Sequence, residues 1–419
     1  MSAFNLLYAQ SGGVTAVINA TAAAVIDAAR TCPGRIGTVF AARNGILGVL
    51  GENLVDTAAL SAEEVARLAH TPGGAFGSCR FDLDALADNP AQYDRLFAVF
   101  AAHRIGAFLY NGGNGSMDTV AKLSAAARAR GYPLVCIGVP KTVDNDIEGS
   151  DCCPGFGSAA KYLATSMREA GLDLAAMTAN RGRVFVMEVM GRNVGWLAAA
   201  TALAARTEDE APHIVLLPEV AFDEAAFIER VRATVARIGY CAVTVSEGIR
   251  RGDGTLIMEQ GQDAKGHVQL GGAGQSIARL VTERLGYKHH WSIPDYLQRA
   301  AGHWRSATDH AHAEAVGRAA VDYALAGRDG CMPAIRRLSD APYAWEVVPV
   351  EVATIANLER ALPREFISAD GLHVSAAGRR HLQPLIEGEL AVCCVDGLPD
   401  YPRFDLPLLA RKLPPYTSG

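Results

Sequence analysis

The segment PKTVDND, residues 140–146, places a lysine, a threonine and two aspartates directly after the apolar run PLVCIGV. Charged groups that leave a buried strand are costly unless they are paired or bound to a ligand. Lys141 could stabilise negative charge on a transferring group, and Thr142 could donate to a phosphate oxygen. Asp144 could accept a proton from an attacking hydroxyl, and Asp146 could hold Mg²⁺, which prefers oxygen ligands. A solvated loop with an internal Lys–Asp pair is the alternative, and it explains single residues better than all four.

The segment NGGNGS, residues 111–116, indicates a phosphate-binding turn. Gly112 and Gly113 let the backbone turn sharply and approach a ligand closely. Ser116 is predicted to cap the following helix, whose free N–H groups and positive dipole end suit a phosphate. The segment SGGVTAVINA, residues 11–20, follows the same pattern. Each segment alone could equally be an ordinary strand-to-helix turn.

Two shorter polar segments also end apolar runs. MGR, residues 190–192, ends in Arg192, whose planar guanidinium suits phosphate, and Arg183 begins the same run. SEG, residues 246–248, puts Glu247 where its carboxylate could accept hydrogen bonds from sugar hydroxyls. Surface arginines and acids are common, so neither segment is decisive alone.

The segment KHHWSIPDYLQR, residues 288–299, is rich in cations and aromatic side chains. Tyr296 and Arg299 are three residues apart, so in a helical turn they share a face. His289 and His290 could bind a metal or a phosphate, or could simply pack against the neighbouring tryptophan.

Short apolar runs that alternate with alanine-rich stretches predict an α/β fold with a parallel sheet. The segments SGG, NGGNGS, PKTVDND, MGR and SEG each lie at the carboxyl end of a predicted strand, and ligands bind along the carboxyl edge of such sheets. We therefore expect the segments to form one ligand-binding edge. The predicted strands are 6–10, 107–110, 133–139, 183–190, 213–220 and 241–248. The predicted helices include 15–30, 116–130, 193–206, 223–237, 275–285 and 311–326.

The composition limits the class of protein. The chain has 419 residues, which favours two domains, and it is 50% hydrophobic and 20% charged. A net charge of −6 argues against binding to nucleic acid or to an acidic membrane, since both need a basic surface. Neither a signal peptide nor a membrane span is recognisable, so the cytoplasm is the expected compartment.

The nine cysteines contain no CxxC pair, which argues against metal ligation. In a chain of this length without an export signal, buried free thiols are the better interpretation.

The segments GGNGS, PKTVDND, MGR, SEG and YLQR, in this order and at these spacings, resemble the phosphofructokinase family from about residue 6 to about residue 320. The resemblance implies two Rossmann-like α/β domains with parallel-rich sheets and the active site in the cleft between them. It also implies Mg²⁺-dependent phosphoryl transfer to the 1-hydroxyl of fructose 6-phosphate, which gives fructose 1,6-bisphosphate and would be reversible with diphosphate as the donor. A homo-oligomer, dimer or tetramer, is implied too, because Arg183 would reach the substrate of a neighbouring subunit.

The resemblance also implies domain bounds. The donor-binding domain would comprise residues 1–153 and about 300–345. The sugar-phosphate-binding domain would comprise residues 154–299 and about 346–419, and its end, PLLARKLPPYTSG, is predicted to form a frayed tail.

The functional residues of the family carry over onto matching positions of this chain. Asp144 would be the general base, with Lys141 and Arg192 stabilising charge. Asp146 and Asn114 would hold the metal. The residues expected to face the phosphoryl donor are Gly13, Arg80, Gly112, Gly113, Asn114, Gly115 and Ser116. Those expected to bind the sugar phosphate are Thr142, Val143, Asp144, Arg183, Met190, Gly191, Arg192, Glu247, His290, Tyr296 and Arg299.

Two positions depart from the family pattern. Asn114 stands where the family usually has an aspartate near the metal, as it does in one diphosphate-using branch, so we expect a weaker or water-mediated metal contact. His290 stands where the family often has a second phosphate-binding arginine, which would make the contact to the 6-phosphate depend on pH.

The phosphoryl donor is expected to be diphosphate or ATP, and two residues of the chain favour different donors. Lys141 resembles the diphosphate-dependent enzymes. Gly115 resembles the ATP-dependent ones, because diphosphate enzymes tend to carry at that position an aspartate that would exclude ATP. Diphosphate has no adenosine to supply remote binding energy, so its transfer depends more on local cations. The sequence therefore favours diphosphate, with ATP as the alternative.

Two rival classes stay open. A sugar-phosphate-binding regulator without catalysis fits Asn114 and His290, although the intact Lys141, Asp144 and Asp146 argue against it. A dinucleotide-dependent oxidoreductase fits the glycine turns, but the chain has no clean GxGxxG opening with an acid about 20 residues later. A related acceptor such as sedoheptulose 7-phosphate is also compatible with the sequence.

Overall fold

The structure is a computed structural model that describes residues 3–178, 183–258, 261–262, 268–269 and 271–416. The chain divides into two compact units. The first comprises Met1–Gly157, Ala300–Glu359 and Gly388–Gly419, and the second comprises Ser158–Arg299 and Arg360–Glu387.

The elements are as follows in chain order. The strands are β1 (Phe4–Gln10), β2 (Ile36–Ala42), β3 (Leu54–Asp56), β4 (Ile105–Gly112), β5 (Val135–Pro140), β6 (Arg183–Val189), β7 (Ile214–Leu216), β8 (Tyr240–Ser246), β9 (Gly261–Gln262), β10 (Val268–Gln269), β11 (Lys288–Ser292), β12 (Cys331–Asp340), β13 (Tyr343–Glu351), β14 (Cys394–Val395) and β15 (Leu398–Pro399). The helices are α1 (Ile18–Arg30), α2 (Gly45–Leu50), α3 (Ala62–Ala69), α4 (Pro90–Ala102), α5 (Asn114–Arg130), α6 (Phe156–Ala176), α7 (Trp196–Ala200), α8 (Glu224–Ile238), α9 (Ala273–Leu285), α10 (Tyr296–Ala300), α11 (Ala307–Leu325), α12 (Val352–Ile355) and α13 (Ala376–Leu382). Among the residues described, no helix has both the length and the apolar character that a membrane span requires.

The first unit is built on a seven-stranded sheet with the order β13-β12-β5-β4-β1-β2-β3. The five inner strands run parallel, and the edge strands β3 and β13 are antiparallel to their neighbours. Successive residues of a strand face opposite sides of a sheet. Leu6 and Tyr8 accordingly pack with α1, α3 and α11, while Leu7 and Ala9 pack with α2, α4 and α5. Helices thus cover both faces, as the apolar runs predict.

The second unit contains a four-stranded parallel sheet with the order β11-β6-β8-β7. Val184 and Val243 from its central strands pack against Phe227 of α8 and Ile277 of α9. Two parallel-rich α/β sheets in two units confirm the predicted fold class. Five predicted strands recur within about two residues, whereas only Ile214–Leu216 of the predicted strand 213–220 forms one.

The polar segments lie at the carboxyl ends of strands, but on two sheet edges and not on the single edge we expected. SGG, NGGNGS and PKTVDND end β1, β4 and β5 of the seven-stranded sheet, whereas MGR and SEG end β6 and β8 of the four-stranded sheet. The strand pattern alone does not distinguish these cases, because strand order is set by long-range pairing.

The domain bounds also differ from those expected, because residues 346–359 and 388–419 group with the first unit. For residues 346–359 the physical reason is the β12–β13 hairpin, which is paired from Cys331–Glu351 to Asp340–Tyr343 and keeps the chain on the first sheet. Only Arg360–Glu387 of the C-terminal region belongs to the second unit.

The C-terminal segment is docked up to residue 416 and is not frayed, so this prediction was wrong. The Leu409 N–H donates to the Leu54 carbonyl at 2.8 Å. The N–H groups of Lys412 and Leu413 donate to the two carboxylate oxygens of Glu52 at 2.7 and 3.0 Å. Glu52 is 1% exposed, so the segment closes over a buried carboxylate.

The nine cysteines all lie within the described ranges and are free thiols, as predicted. Five are buried and Cys32 and Cys79 are half-buried, but Cys393 and Cys394 are exposed. The prediction of burial is therefore wrong for this last pair, which belongs to the short β14–β15 ribbon and lies outside the main core.

Glu52→Ala should lower the free energy of unfolding by about 3–5 kcal/mol, because it leaves buried partner groups unpaired. These partners include His103, whose Nε2 lies 2.8 Å from the carboxylate. The same variant should make the Arg411–Lys412 region sensitive to trypsin. Urea unfolding and timed proteolysis measure the two effects, with the exposed Glu63→Ala as the control. Equal stability of the two variants, with a protected tail in both, would contradict this account.

Candidate active site

Lys141 connects the ends of three strands in the first unit. Its N–H donates to the Gly112 carbonyl at 3.0 Å, which continues the β4–β5 pairing. Its Nζ donates to the Gly13 carbonyl at 2.7 Å, and the side chain is 3% exposed. Gly12 has a φ of +71°, and a Cβ at this residue would lie 3.3 Å from Nζ. A glycine is therefore favoured there, and the ammonium is fixed beside the loop that follows β1.

The PKTVDND loop turns back on itself after β5. Asn145 is fully buried with a left-handed φ of +59°, and its Oδ1 accepts the Cys153 N–H at 2.8 Å. The Thr142 N–H donates to the Pro154 carbonyl at 3.3 Å. The Asp144 N–H donates to the Thr142 Oγ1 at 3.0 Å, and Asp144 stays half-buried. The loop therefore has a fixed backbone that keeps the Asp144 carboxylate within reach of solvent.

Asn114 and Asp146 meet next to this loop. The Asn114 Nδ2 donates to the Asp146 Oδ2 at 3.0 Å. The Oδ1 atoms of both residues are buried and have no hydrogen-bond partner among the described residues. Burial raises the pKa of the Asp146 carboxyl above its ordinary value, and hydrogen bonds from Thr142 and Asn114 oppose this effect only in part. Two unpaired oxygens are thus available to a hard cation.

The turn after β4 differs from the prediction in one respect. Helix α5 begins at Asn114, and Gly113 is the N-cap without a side-chain cap from any described residue. Ser116 lies in the first turn, so it is not the cap. Its side chain is buried against Gly112, where a Cβ would lie 1.9 Å from the Ser116 Oγ. Phosphate binding by the N–H groups of this helix start that have no carbonyl partner stays a prediction.

The remaining donor-side residues occupy the same edge. Gly13 follows β1, and the Gly12 N–H donates to the Cys79 carbonyl at 2.9 Å, which attaches the segment before Arg80 to this loop. Arg80 itself is exposed, and Val143 is buried within the PKTVDND loop. All the predicted donor residues therefore lie at, or directly beside, the carboxyl edge of the first sheet.

In the second unit, the ends of β6 and β8 are joined through Glu247. Its Oε1 accepts the Gly191 N–H at 3.2 Å, and its own N–H donates to the Val189 carbonyl at 3.0 Å. Gly191 has a φ of +144°, and a Cβ there would lie 2.6 Å from the Val194 carbonyl oxygen. Burial raises the pKa of the Glu247 carboxyl, although the Gly191 N–H opposes this.

The YLQR segment forms α10, so Tyr296 and Arg299 do lie three apart on a helical turn. The Arg299 guanidinium carbon lies 4.2 Å from the centre of the Tyr296 ring, which is a cation–π contact. Arg192, which follows the strand end, is exposed. The Met190 N–H donates to the Gln298 Oε1 at 3.2 Å, so α10 contacts the MGR segment.

Two predicted substrate residues lie away from this edge. Arg183 begins β6 and so lies roughly 20 Å from the end of the strand. His290 lies in the middle of β11, where it pairs with Phe185, and Lys288 pairs with Arg183. By alternation, Arg183 and His290 point to the same face of the sheet. His290 is exposed and Arg183 is half-buried.

Sequence reasoning missed two buried residues that shape the second edge. Gln298 is 1% exposed and holds the Met190 backbone, and its position inside YLQR was the available signal. Glu188 is also 1% exposed, and its carboxylate accepts the N–H groups of Gly272 and Gly274 at 3.1 and 2.7 Å. An acid inside the apolar strand RVFVMEV was the signal for Glu188, because such a group needs buried donors.

Comparison with known proteins places this chain in one family. The model of the family described as "Phosphofructokinase" matches residues 5–324. The chain belongs to the phosphofructokinase family, and the resemblance seen in the sequence is thereby confirmed.

Two relatives of this chain and one solved structure that resembles it carry names that specify pyrophosphate. A protein of Xanthomonas campestris pv. campestris named pyrophosphate–fructose 6-phosphate 1-phosphotransferase is 54% identical over 417 residues, which is 99% of each chain. A protein of Methylococcus capsulatus with the same name is 54% identical over 96% of each chain. The crystal structure of pyrophosphate-dependent phosphofructokinase from Nitrosospira multiformis is similar with a TM-score of 0.92 and 48% identity, covering 99% of this chain and 100% of that one.

The raised pKa of Glu247 predicts a pH effect on stability. The folded state holds the proton of the Glu247 carboxyl more tightly than the unfolded state does. The contribution of Glu247 to the free energy of unfolding is therefore complete below the ordinary pKa of 4.5 and is lost as the pH rises through the pKa of the folded state. Glu247→Gln should remove this slope, which is at most about 1.4 kcal/mol per pH unit. Urea unfolding at a series of pH values measures it. Glu169→Gln, at an exposed position of α6, is the control and should keep the slope. An unchanged slope in Glu247→Gln would refute the assignment.

Proposed function

We propose that the chain is a diphosphate-dependent 6-phosphofructokinase, which transfers a phosphoryl group from diphosphate to the 1-hydroxyl of fructose 6-phosphate. The observation that carries the proposal is the buried Lys141 ammonium, fixed 2.7 Å from the Gly13 carbonyl beside the glycine-rich start of α5. The full-length relatives named for diphosphate at 54% identity support it. The reaction is reversible in this proposal, because diphosphate and the sugar bisphosphate are both phosphoryl donors.

The donor end of the proposal rests on positive charge and backbone donors. A cation about 4 Å from developing charge contributes roughly 4 kcal/mol at an effective dielectric of 20. The Lys141 side chain is already ordered by its bond to Gly13, so little conformational freedom is lost when the donor binds. The N–H groups at the start of α5 and the backbone of Gly112 and Gly113 would contact phosphate oxygens. Arg80, exposed at the same edge, would add a second cation.

In the proposed step, Asp144 takes the proton from the 1-hydroxyl as its oxygen attacks the nearer phosphorus. The new P–O bond forms while the bond to the bridging oxygen of diphosphate breaks, and the leaving phosphate keeps that electron pair. Lys141 and Arg192 stabilise the charge that spreads over the transferring group. Thr142 orients the loop through its bond to the Asp144 N–H.

Asn114 and Asp146 are the residues that would hold Mg²⁺. Their buried Oδ1 atoms have no hydrogen-bond partner within the described part of the chain, and oxygen is the ligand type that Mg²⁺ requires. When bound, the ion would neutralise charge on the phosphoryl oxygens. The Asn114–Asp146 hydrogen bond orients both side chains toward this role.

The sugar phosphate would be bound by residues of the second unit. Glu247 accepts from the Gly191 N–H through one oxygen, and its other oxygen would accept a sugar hydroxyl. Met190 and Gly191 provide backbone, held by Gln298. Arg299, stacked on Tyr296, would pair with the 6-phosphate.

Arg183 and His290 would serve a different copy of the chain. They share one face of the β6–β11 pair, well away from the ends of β6 and β8, so they are poorly placed for the same sugar phosphate as Glu247. We propose that they contact the substrate of a neighbouring subunit in a homo-oligomer. A cytoplasmic location stays a prediction from the sequence.

The donor assay tests the proposed function directly. Purified protein with fructose 6-phosphate and Mg²⁺ should form fructose 1,6-bisphosphate with diphosphate. Lys141→Met should lower kcat/KM for diphosphate on the order of a thousandfold, the rate equivalent of about 4 kcal/mol. Lys412→Met is the control. The Lys412 Nζ also donates to a backbone carbonyl, that of Ala102, but this lysine is exposed and is far in sequence from the predicted donor residues. Product from ATP alone would replace this proposal with the ATP-dependent alternative, which Gly115 favours.

Asp144→Ala should reduce turnover by roughly 10²–10⁴-fold, because a positioned base is lost. Binding of fructose 6-phosphate, measured by calorimetry, should change little, since the proposed sugar contacts of the second unit remain. Persistent turnover with intact sugar binding would remove Asp144 as the base.

A further inference from the structure

Gly115 lies on the solvent-exposed side of the proposed donor site. Among the residues of the turn after β4, Gly113 and Asn114 are half-buried and Ser116 is buried, whereas Gly115 is exposed. Lys141 and the loop after β1 bound the site on another side. A donor longer than diphosphate, which must extend beyond the transferring and leaving phosphates, would therefore pass Gly115.

A carboxylate from another segment already stands at this opening. A Cβ at Gly115 would lie 3.4 Å from the Asp82 Oδ1. Apart from atoms of the neighbouring chain around Gly115, no other heavy atom of the described residues lies within 4 Å of that Cβ position. Asp82 is exposed, and its side chain makes no hydrogen bond or ion pair with another residue that the structure describes. No ion pair with a described cation therefore neutralises its charge.

The backbone on either side holds Asp82 in this place. Leu83 is 1% exposed inside the apolar cluster of the first unit, and Phe81 packs against the same cluster. The Lys122 Nζ of α5 donates to the Leu83 carbonyl at 2.8 Å, which attaches the Asp82 segment to the helix that begins at the donor site. The backbone that carries the Asp82 carboxylate is thus held beside Gly115.

An unpaired carboxylate on a backbone held at this point discriminates between donors by charge. Diphosphate ends at its leaving phosphate, while ATP continues with a third phosphate and a nucleoside. Like charges brought together with little water between them repel, and the repulsion grows as the site is desolvated. The longer anion extends further toward Asp82 and therefore meets more of this repulsion than the shorter one.

We propose that Asp82 is the residue that selects diphosphate over ATP in this chain, because its negative charge occupies the space in front of Gly115. This inference rests on the proposed function, since it concerns the donor of that reaction. It also resolves the conflict between Lys141 and Gly115, because the carboxylate that diphosphate enzymes tend to carry at position 115 is supplied here by residue 82.

The test compares donors in two variants of the whole chain. Asp82→Asn removes the charge and keeps the shape, and Asp82→Ala removes both. In each, the ratio of kcat/KM with ATP to kcat/KM with diphosphate should rise at least tenfold, and ATP should inhibit the diphosphate reaction at a concentration at least tenfold lower. Asp88→Ala, an exposed aspartate of the same segment, is the control for loss of a nearby charge and should leave both quantities as they are.

A double variant makes the assignment specific. Asp82→Ala combined with Gly115→Asp should return the ratio to that of the unmodified chain, because the carboxylate is restored from the other segment. Three results would each overturn the proposal. The first is no change of the ratio in either single variant, the second is a rise in Asp82→Ala without a rise in Asp82→Asn, and the third is no reversal in the double variant. Product from ATP but not diphosphate in the unmodified chain would instead overturn the proposed function, so the two failures are distinguishable.

Discussion

The buried Lys141 ammonium is the constraint on which the first unit's site depends. A lysine with 3% exposure must be paired or solvated by the protein, and the Gly13 carbonyl supplies that contact at 2.7 Å. The same residue continues the β4–β5 hydrogen bonds through its backbone to Gly112. The loops after three neighbouring strands are therefore fixed to one another by one residue. A cation held in this way needs no rearrangement when charge develops near it, which is the requirement for electrostatic catalysis.

The second unit also contains buried charged side chains that bond to backbone groups, but there the side chains are carboxylates. Glu188 and Glu247 are carboxylates at the end of a parallel sheet, and each accepts backbone N–H groups from a glycine-containing loop. The glycines there are required by geometry, because Gly191 has a φ of +144° and lies against neighbouring backbone. Burial raises the pKa of both carboxyls. Buried acids thus shape the loops whose backbone would receive the sugar phosphate.

Donor choice illustrates how one chemical requirement is divided between segments. Lys141 supplies positive charge, Gly115 leaves the opening clear, and Asp82 places negative charge in front of it. Considered one at a time, Lys141 and Gly115 point to different donors. Their disagreement disappears when the space around Gly115 is considered, because the character of a site is set by the groups that meet there and not by the residue at one motif position.

The sequence by itself determined the α/β class, most strand positions, the polar segments that end them and the family. These are local properties: hydrophobic periodicity and short motifs report what a chain does within a few residues. The tertiary structure alone decided that the segments belong to two sheet edges, that the C-terminal segment covers Glu52, that Arg183 and His290 share a face, and that Asp82 lies beside Gly115. Each of these depends on strand order or on contacts between distant residues. Such contacts are set by the packing of the whole unit, and no local pattern records them.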